Sequence, residues 1–567
     1  MVYINCIDYN IIRKGSMMFG TIKSFFDDRS FGFIIDKDGA DRFFHMNDVE
    51  PDSKADICEG QFVDFEPYSN RKGLAARNVK IIAQSMDRHL SKNRVNLLKE
   101  IANWKLDAKL EDSSRYFYYQ DFVKQLVNGE KCYVIGRKGT GKTAISEYLS
   151  KLYDVGIFTR KLSFKNFPFN VLYSHSDNQF TFPNQYITIW KYIILSEIAQ
   201  LMLQNQNIAP LVHEELGRIY SDDLERKLAN SINKWTSGEF QITLLGSGGK
   251  FGATREFTPN ERSWIEKVEV LEEYIKTNID RSTYYIIFDE LDEDYKYVGE
   301  ETSDTKYISL IIGLYKAVHD IKSRFPAREF NIFPIIFLRD DIFSQIRNSD
   351  RTKWTDLSIE LDWNDEQLKN MLGFRLSRAR DDWDSKDDTS FELAWLDLFS
   401  LEPVKSYGTK TSSFNYILQC SQLRPRDFIK FISECASSAL EKRTPYITST
   451  IVQAAEIKYS DYLRSELEDE IDSLFQEIRH ILDVLTGMQK TTFILSQFEE
   501  AYRQYAVDNN IPVRSPRKIL SLLFDFSIIG ISTKNTKTIF KYQNKNSRFN
   551  PKGSFYIHKG LTKSLPF

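Results

Sequence analysis

Five cysteines in 567 residues, Cys6, Cys58, Cys132, Cys420 and Cys435, have neither the spacing of a disulfide framework nor that of zinc ligands. A reducing cytoplasm is the expected compartment. No run approaches the roughly 18 consecutive apolar residues of a membrane span, and the N-terminal stretch has no secretory apolar core. The chain is expected to be soluble, with no membrane partner. A net charge of −3 excludes a globally basic body, so any nucleic-acid contact has to come from a local patch and from stacking. No Cys/His pair, metal cluster or Ser/His/Asp constellation marks a nuclease or protease centre. What is present, 42% hydrophobic and 14% aromatic residues, excludes a disordered chain and leaves room for about three or four domains.

One phosphate-binding loop stands complete, Gly136-Arg137-Lys138-Gly139-Thr140-Gly141-Lys142-Thr143, continued by Ala144. The apolar run Cys132–Ile135 before it reads as a buried strand. After it, Ile145, Tyr148, Leu149 and Leu152 fall at helical spacing. In that setting the glycines let backbone N–H groups turn toward phosphate oxygens, Lys142 reaches the terminal phosphates and the Thr143 hydroxyl can ligate magnesium. The cofactors implied are ATP and Mg.

A second stretch supplies the acids. Tyr284–Phe288 is apolar and β-rich and ends in Asp289-Glu290, as a buried parallel strand delivering carboxylates to a sheet edge should. Asp289 is assigned to the magnesium site and Glu290 to polarising the attacking water, so catalysis falls to Lys142, Asp289 and Glu290. A further strand, Ile332–Leu338, ends in Arg339-Asp340-Asp341 and brings a second polar cluster to the same edge. The interval from Lys142 to Asp289 exceeds what a minimal core needs and implies an insertion, including helical material at Ile189–Leu203. Its glycine cluster, Gly246–Gly252 beside Phe240–Leu245, reads as a hairpin turn rather than a second phosphate loop, since no helix signal follows it directly.

Upstream, short strand-like pieces from Phe19 to about Ile82 suggest a small barrel. Phe31 and Phe33 alternate on one strand, Phe43 and His45 on the next, so four rings share a face while Ile22, Ile34 and Phe44 take the inward phase. Bases stack on such rings at about 1–3 kcal/mol each, and Lys23 and Arg29 can meet phosphates. Val95, Leu98, Ile101 and Leu106 then follow helical spacing. From Asp461 the pattern is helical through Leu485, and strand-like pieces at Ile528–Ile531, Ile539–Tyr542 and Ser554–His558 fit a winged helix. Arg514, Arg517 and Lys518 with Lys534, Lys537 and Lys541 read either as a DNA-facing wing or as a solvated charged face.

Two resemblances follow. The motifs Arg29–Ile34 and Asp41–His45, with the closing Gly73–Val79, resemble a cold-shock domain, an OB-type barrel that binds single-stranded RNA or DNA. Ser24 stands where that family usually carries tryptophan, and Met46 where a phenylalanine is common. Residues 116–445 resemble bacterial AAA-like or STAND-like P-loop ATPases. That resemblance implies nucleotide-sensing arginines at Arg339, Arg424 or Arg426. It also implies a homo-oligomer, an effector partner and a setting in antiviral defence.

The expected architecture is multidomain α/β. It comprises an extension at 1–17, a β-barrel at 18–83, a helical connector at 84–115, the ATPase domain at 116–445 and a helical, winged-helix-like region at 446–567. The expected function is an ATP-hydrolysing switch or motor coupled to single-stranded nucleic acid; the alternative is a nucleotide-locked scaffold with little turnover.

Overall fold

The computed structural model describes residues 18–36, 40–54, 57–70, 73–81, 91–152, 154–165, 167–174, 180, 184–220, 230, 232, 264–295, 303–380, 390–400, 402–406, 409–472, 474–532 and 538–565. The extension at 1–17, the glycine cluster, Phe240–Leu245, Lys534 and Lys537 lie outside the described residues. The chain forms two compact units. One gathers Met1–Leu106, Trp363–Asp472 and Gln476–Phe567; the other is Asp107–Asp362 with Ser473–Phe475.

In the first unit, β1 (Met18–Phe26), β2 (Phe31–Asp36), β3 (Asp41–His45), β4 (Phe62–Asn70) and β5 (Gly73–Ile81) close a barrel in the order β1-β2-β3-β5-β4. Closure leaves no free sheet edge. Ile22, Ile34, Phe44, Val63, Phe65 and Val79 fill it from alternate strand positions, as the sequence phase requires. Helix α1 (Ser91–Ala102) follows and buries Leu97, Leu98 and Ile101. Val95, expected on that face, is exposed, because α1 is turned so that Arg94 lies over the Tyr446 ring at 3.7 Å.

The second unit is built on five parallel strands: β6 (Tyr133–Gly136), β7 (Ile157–Ser163), β8 (Thr283–Asp289), β9 (Ile332–Arg339) and β10 (Ser358–Glu360). Their order is β10-β6-β9-β8-β7. Every residue of β6 and β9 is buried, which is why both read as unbroken apolar runs. Helix α2 (Lys142–Ser150) packs Ile145 and Leu149 on one face with Tyr285, Ile287 and Phe337. Helix α3 (Ile187–Gln204) and helix α4 (Ser303–Arg324) lie on the other face, where Trp190 donates its indole N–H to the Leu310 carbonyl and Tyr133 its hydroxyl to the Tyr315 carbonyl.

Residues 184–204 are long and apolar enough to cross a membrane by length and composition, yet 83% of their most apolar window is buried inside the fold. The material expected as an insertion thus includes a core crossover helix.

The expected domain 116–445 is divided at Trp363, since residues from there to 472 pack in the barrel-bearing unit. There Arg375 sits over the Trp104 indole at 4.7 Å, and helix α5 (Pro425–Glu441) lies along α1. The helical run expected from Asp461 to Leu485 is broken between α6 (Ser449–Asp472) and α7 (Ile478–Gly487). Helices α8 (Leu495–Asp508) and α9 (Pro516–Asp525) then pack with a three-stranded sheet of Thr492–Phe493, Ser554–Ile557 and Ile529–Ser532, a winged-helix arrangement. The strand expected at Ile539–Tyr542 is reduced to one bridge, Ile539 to Ile531, because the Tyr542 amide bonds the Ser527 hydroxyl and the chain turns away.

Candidate nucleotide site and nucleic-acid face

Sheet topology chooses the place. Strand β6 hands the chain to β7 at one edge, while its neighbour β9 hands it to β10 at the other. Right-handed crossovers running in opposite directions cover opposite faces, so a crevice opens at the carboxyl ends of β6 and β9. The loop Gly136–Gly141 lies there, and Gly136 is in register with Arg339.

The loop is shaped by backbone signs only glycine adopts freely, φ +82° at Gly139 and +104° at Gly141. Thr140 closes it by donating its hydroxyl to the Arg137 carbonyl at 2.8 Å. Helix α2 begins at Lys142 with no side chain capping its first turn, and a Cβ at Gly141 would meet nothing within 4 Å. Amide donors beside open space at a helix N-terminus suit phosphate oxygens. Lys142 donates to the carbonyls of Gly136 and Arg137 at 2.8 and 3.0 Å. Burial pushes its ammonium below the usual lysine range, against the opposing pull of Asp292 and Asp340 and, more weakly, Asp289.

Asp289, 2% exposed, ends β8. Its carboxylate accepts from the Ser146 hydroxyl at 2.5 Å and lies 3.0 Å from Lys161 Nζ, while its other oxygen accepts the Glu290 amide. The acid strand and the loop helix therefore meet through Ser146, one turn beyond Thr143. Lys161 also pairs with Glu147 at 2.7 Å. Burial alone would lower the Lys161 pKa, but the charges of Asp289 and Glu147 raise it.

Glu290 accepts from Lys109 Nζ at 2.7 Å on each oxygen and from the Ser163 hydroxyl, and its backbone is left-handed at φ +60°. Arg339 is 7% exposed and grips Asp341 at 3.0 and 2.7 Å, with Asp292 at 3.5 Å. Lys142, Asp289, Glu290 and Arg339 are thus together at one edge.

Arg424 and Arg426 belong to the other unit. Arg424, 2% exposed, is paired with Asp427 at 2.9 Å and Glu470 at 3.7 Å; Arg426 meets Glu466 at 3.2 Å. Burial works against the Arg424 charge, but Asp427 and Glu470 outweigh it and hold the pKa above the usual arginine range.

The groups fit magnesium and a triphosphate. Among the described residues no three His, Cys, Asp or Glu cluster to hold a metal by themselves. Magnesium typically takes one or two carboxylates and completes its shell with phosphate and water. Asp289 and Thr143 would be its protein ligands.

On the barrel, Phe31 and Phe43 lie 5.7 Å apart, Phe33 and Phe43 5.9 Å, and His45 pairs in register with Phe31. All four expected rings stay partly exposed while Phe44 is buried. Phe26, 43% exposed and 5.1 Å from Phe31, extends the platform. It was not singled out in the sequence, although its place just before the turn to Phe31 was the available signal. Lys23 pairs with Asp41 at 2.5 Å and Arg29 with Asp28 at 3.5 Å, both on the surface. Lys109, Ser146, Lys161 and Ser163 were also missed. Of these, only Lys161, charged like its neighbour Arg160 inside an otherwise strand-like run, left a sequence trace.

Residues 18–82 match the family model of the 'cold-shock' DNA-binding domain, and residues 366–468 that of the FunZ-associated C-terminal helical domain. Cold shock protein CapB of Pseudomonas syringae pv. tomato is 38% identical over 63 residues, 11% of this chain and 91% of that protein. The cold shock-like protein CspA of Stigmatella aurantiaca is 43% identical over 67 residues, 12% of this chain and 98% of that one.

A transposon gamma-delta 80.3 kDa protein of Escherichia coli K12 is 23% identical over 450 residues, 75% of this chain. The chain spans 60% of that relative's length. Among solved structures, the ORC2 protein of Aeropyrum pernix superposes with a TM-score of 0.37 at 11% identity, over 78% of this chain and 88% of that one. Cdc6p from Pyrobaculum aerophilum gives 0.29 at 12% identity, over 82% and 97%. The P-loop fold rests on the strand order and the loop geometry of this chain. Through residues 18–82, the chain belongs to the cold-shock domain family.

Proposed function

We propose that this chain is a magnesium-dependent ATPase whose turnover responds to single-stranded nucleic acid on its cold-shock barrel. The observation that carries the reading is the convergence of Lys142 and Asp289, remote in sequence, on one sheet edge through Ser146. The loop amides and Lys142 hold the phosphates, and Arg339, beside Gly136, is the sensing arginine of this edge. Bound magnesium would neutralise phosphate charge at Asp289 and Thr143. Glu290 orients the attacking water and accepts its proton. The Phe31, Phe33 and Phe43 rings stack bases, and Phe26 widens their platform.

The alternative, a nucleotide-locked scaffold with little turnover, draws support from one observation: both Glu290 oxygens are engaged by protein donors. ATP hydrolysis by the purified chain, with and without short single-stranded RNA and DNA, tests the two. Turnover that Glu290→Gln abolishes and single strands change supports the switch. Equal, negligible turnover in the parent and in Glu290→Gln, with ATP bound by both, supports the scaffold.

A further inference from the structure

We infer that Lys109 is a brake on Glu290, released through the short stretch of chain that joins it to the barrel-bearing unit; this rests on the ATPase reading above. The geometry is specific. Lys109 Nζ is 2.7 Å from each Glu290 oxygen, so the ammonium straddles the carboxylate. Ser163, in register with Asp289 on the neighbouring strand, donates its hydroxyl to the same group. A carboxylate offers about four acceptor sites, and three of those of Glu290 face the ammonium and the hydroxyl, while a general base must present an oxygen to water. Glu290 also sits in the left-handed region at φ +60°, an uncommon setting for a residue with a side chain and one that clusters at switch points.

Lys109 and Ser163 differ in what removes them. Ser163 is fixed at the end of the edge strand β7 by its pairing with β8. Lys109 belongs to a single turn, in which the Lys109 amide bonds the Asp107 carboxylate at 3.0 Å and the Leu110 amide the Asp107 carbonyl at 3.0 Å. That turn begins where the chain passes from one compact unit to the other, between Leu106 and Asp107. Just upstream, Trp104 is 6% exposed and held under the Arg375 guanidinium, within the unit that carries the barrel. Only residues 105–108 separate an anchored indole in one unit from the ammonium on the candidate base in the other. The five Cα steps from Trp104 to Lys109 reach at most about 18 Å when fully extended, so a displacement of Trp104 beyond that reach must draw on Lys109. The brake thus gives the nucleic-acid-bearing unit a covalent handle on the hydrolytic carboxylate.

The test uses the full chain at saturating magnesium and ATP, comparing Lys109→Ala, Lys109→Met and Lys109→Arg, with and without a single-stranded oligonucleotide. The brake requires kcat to rise by about fivefold or more in Lys109→Ala and Lys109→Met, at unchanged ATP affinity. It also requires stimulation by the oligonucleotide to shrink toward none in both, and Lys109→Arg to stay near the parent. Lys109→Met keeps most of the side-chain stem and secures the result if Lys109→Ala fails to fold. An unchanged or lowered kcat in folded variants of a parent that does turn over overturns the brake and leaves the ATPase reading standing. ATP binding without turnover in parent and variants alike overturns the ATPase reading and the brake with it.

Discussion

Ser146 donates its hydroxyl to Asp289 at 2.5 Å, and this one bond joins the helix that follows the phosphate loop to the strand that carries the acid. The acceptor is a carboxylate, so the bond is charge-assisted, and because Asp289 is almost fully enclosed its loss leaves a buried acceptor short of a donor. Ser146→Ala should cost about 1–3 kcal/mol in stability. Lys161→Ala should cost more, about 3–5 kcal/mol, because it leaves Asp289 and Glu147 facing each other without a cation. Thermal melts of the two variants check the ranking; a Lys161→Ala protein as stable as the parent would show that these carboxylates do not need the ammonium.

Lys142 and Glu290 act at different stages, and their substitutions should separate accordingly. Lys142→Ala removes the ammonium that the loop carbonyls now hold, and should weaken ATP binding by about 10-fold or more. Glu290→Gln keeps the shape and loses the proton acceptor, so ATP should still bind while kcat falls by at least about 100-fold. Equilibrium binding of a fluorescent ATP analogue beside a phosphate-release assay reads the two separately. Loss of binding in Glu290→Gln would place that residue in holding the nucleotide rather than in hydrolysis.

The loop and the acid strand were legible in the sequence because each is a local pattern: an apolar run with glycines and a helix period after it, and an apolar run ending in acids. The barrel was legible for the same reason, since alternation alone put Ile34 and Phe44 inside and Phe31 and Phe43 outside. What Asp289 and Glu290 touch was not. Lys161 and Ser163 reach them because β7 and β8 pair in parallel with Ser163 opposite Asp289, a register that no local spacing encodes. Lys109 arrives from a single turn far upstream. The division at Trp363 was hidden too, because only four residues part β10, which ends at Glu360, from the helix that begins at Asp365, and those four, Leu361 to Asn364, include neither glycine nor proline.

Phe26 extends the ring platform beyond the expected four positions, so its removal should be felt by single strands. Phe31→Ala with Phe33→Ala should weaken binding of a labelled single-stranded oligonucleotide by about 30-fold or more, at about 1–3 kcal/mol for each of the two lost stacks. Phe26→Ala alone should cost several-fold. Acids outnumber bases from Met18 to Lys80, twelve to nine, so the dependence on salt should be shallow. Fluorescence anisotropy across a salt series measures both. Anisotropy indifferent to the double substitution would move nucleic-acid binding off this face.

Arg424 decides between two roles that its neighbours make distinct. It is enclosed by Asp427 and Glu470, and Asp427 also accepts the Gln422 amide at 2.8 Å, ahead of the turn where Leu423 is left-handed at φ +54°. That arrangement fixes the start of α5 against α6. Asp427→Ala strands a buried guanidinium beside Glu470 alone and removes the acceptor of the Gln422 amide, so it should cost about 3–5 kcal/mol. Arg424→Met paired with Asp427→Leu replaces this buried pair by apolar groups of similar volume and should recover part of the loss, the remainder being Glu470 left without its guanidinium and the Gln422 amide without its acceptor. Melting temperatures of the single and double variants, taken beside ATP turnover, test this. Turnover lost in Arg424→Met at an unchanged melting temperature would instead assign the arginine to nucleotide sensing.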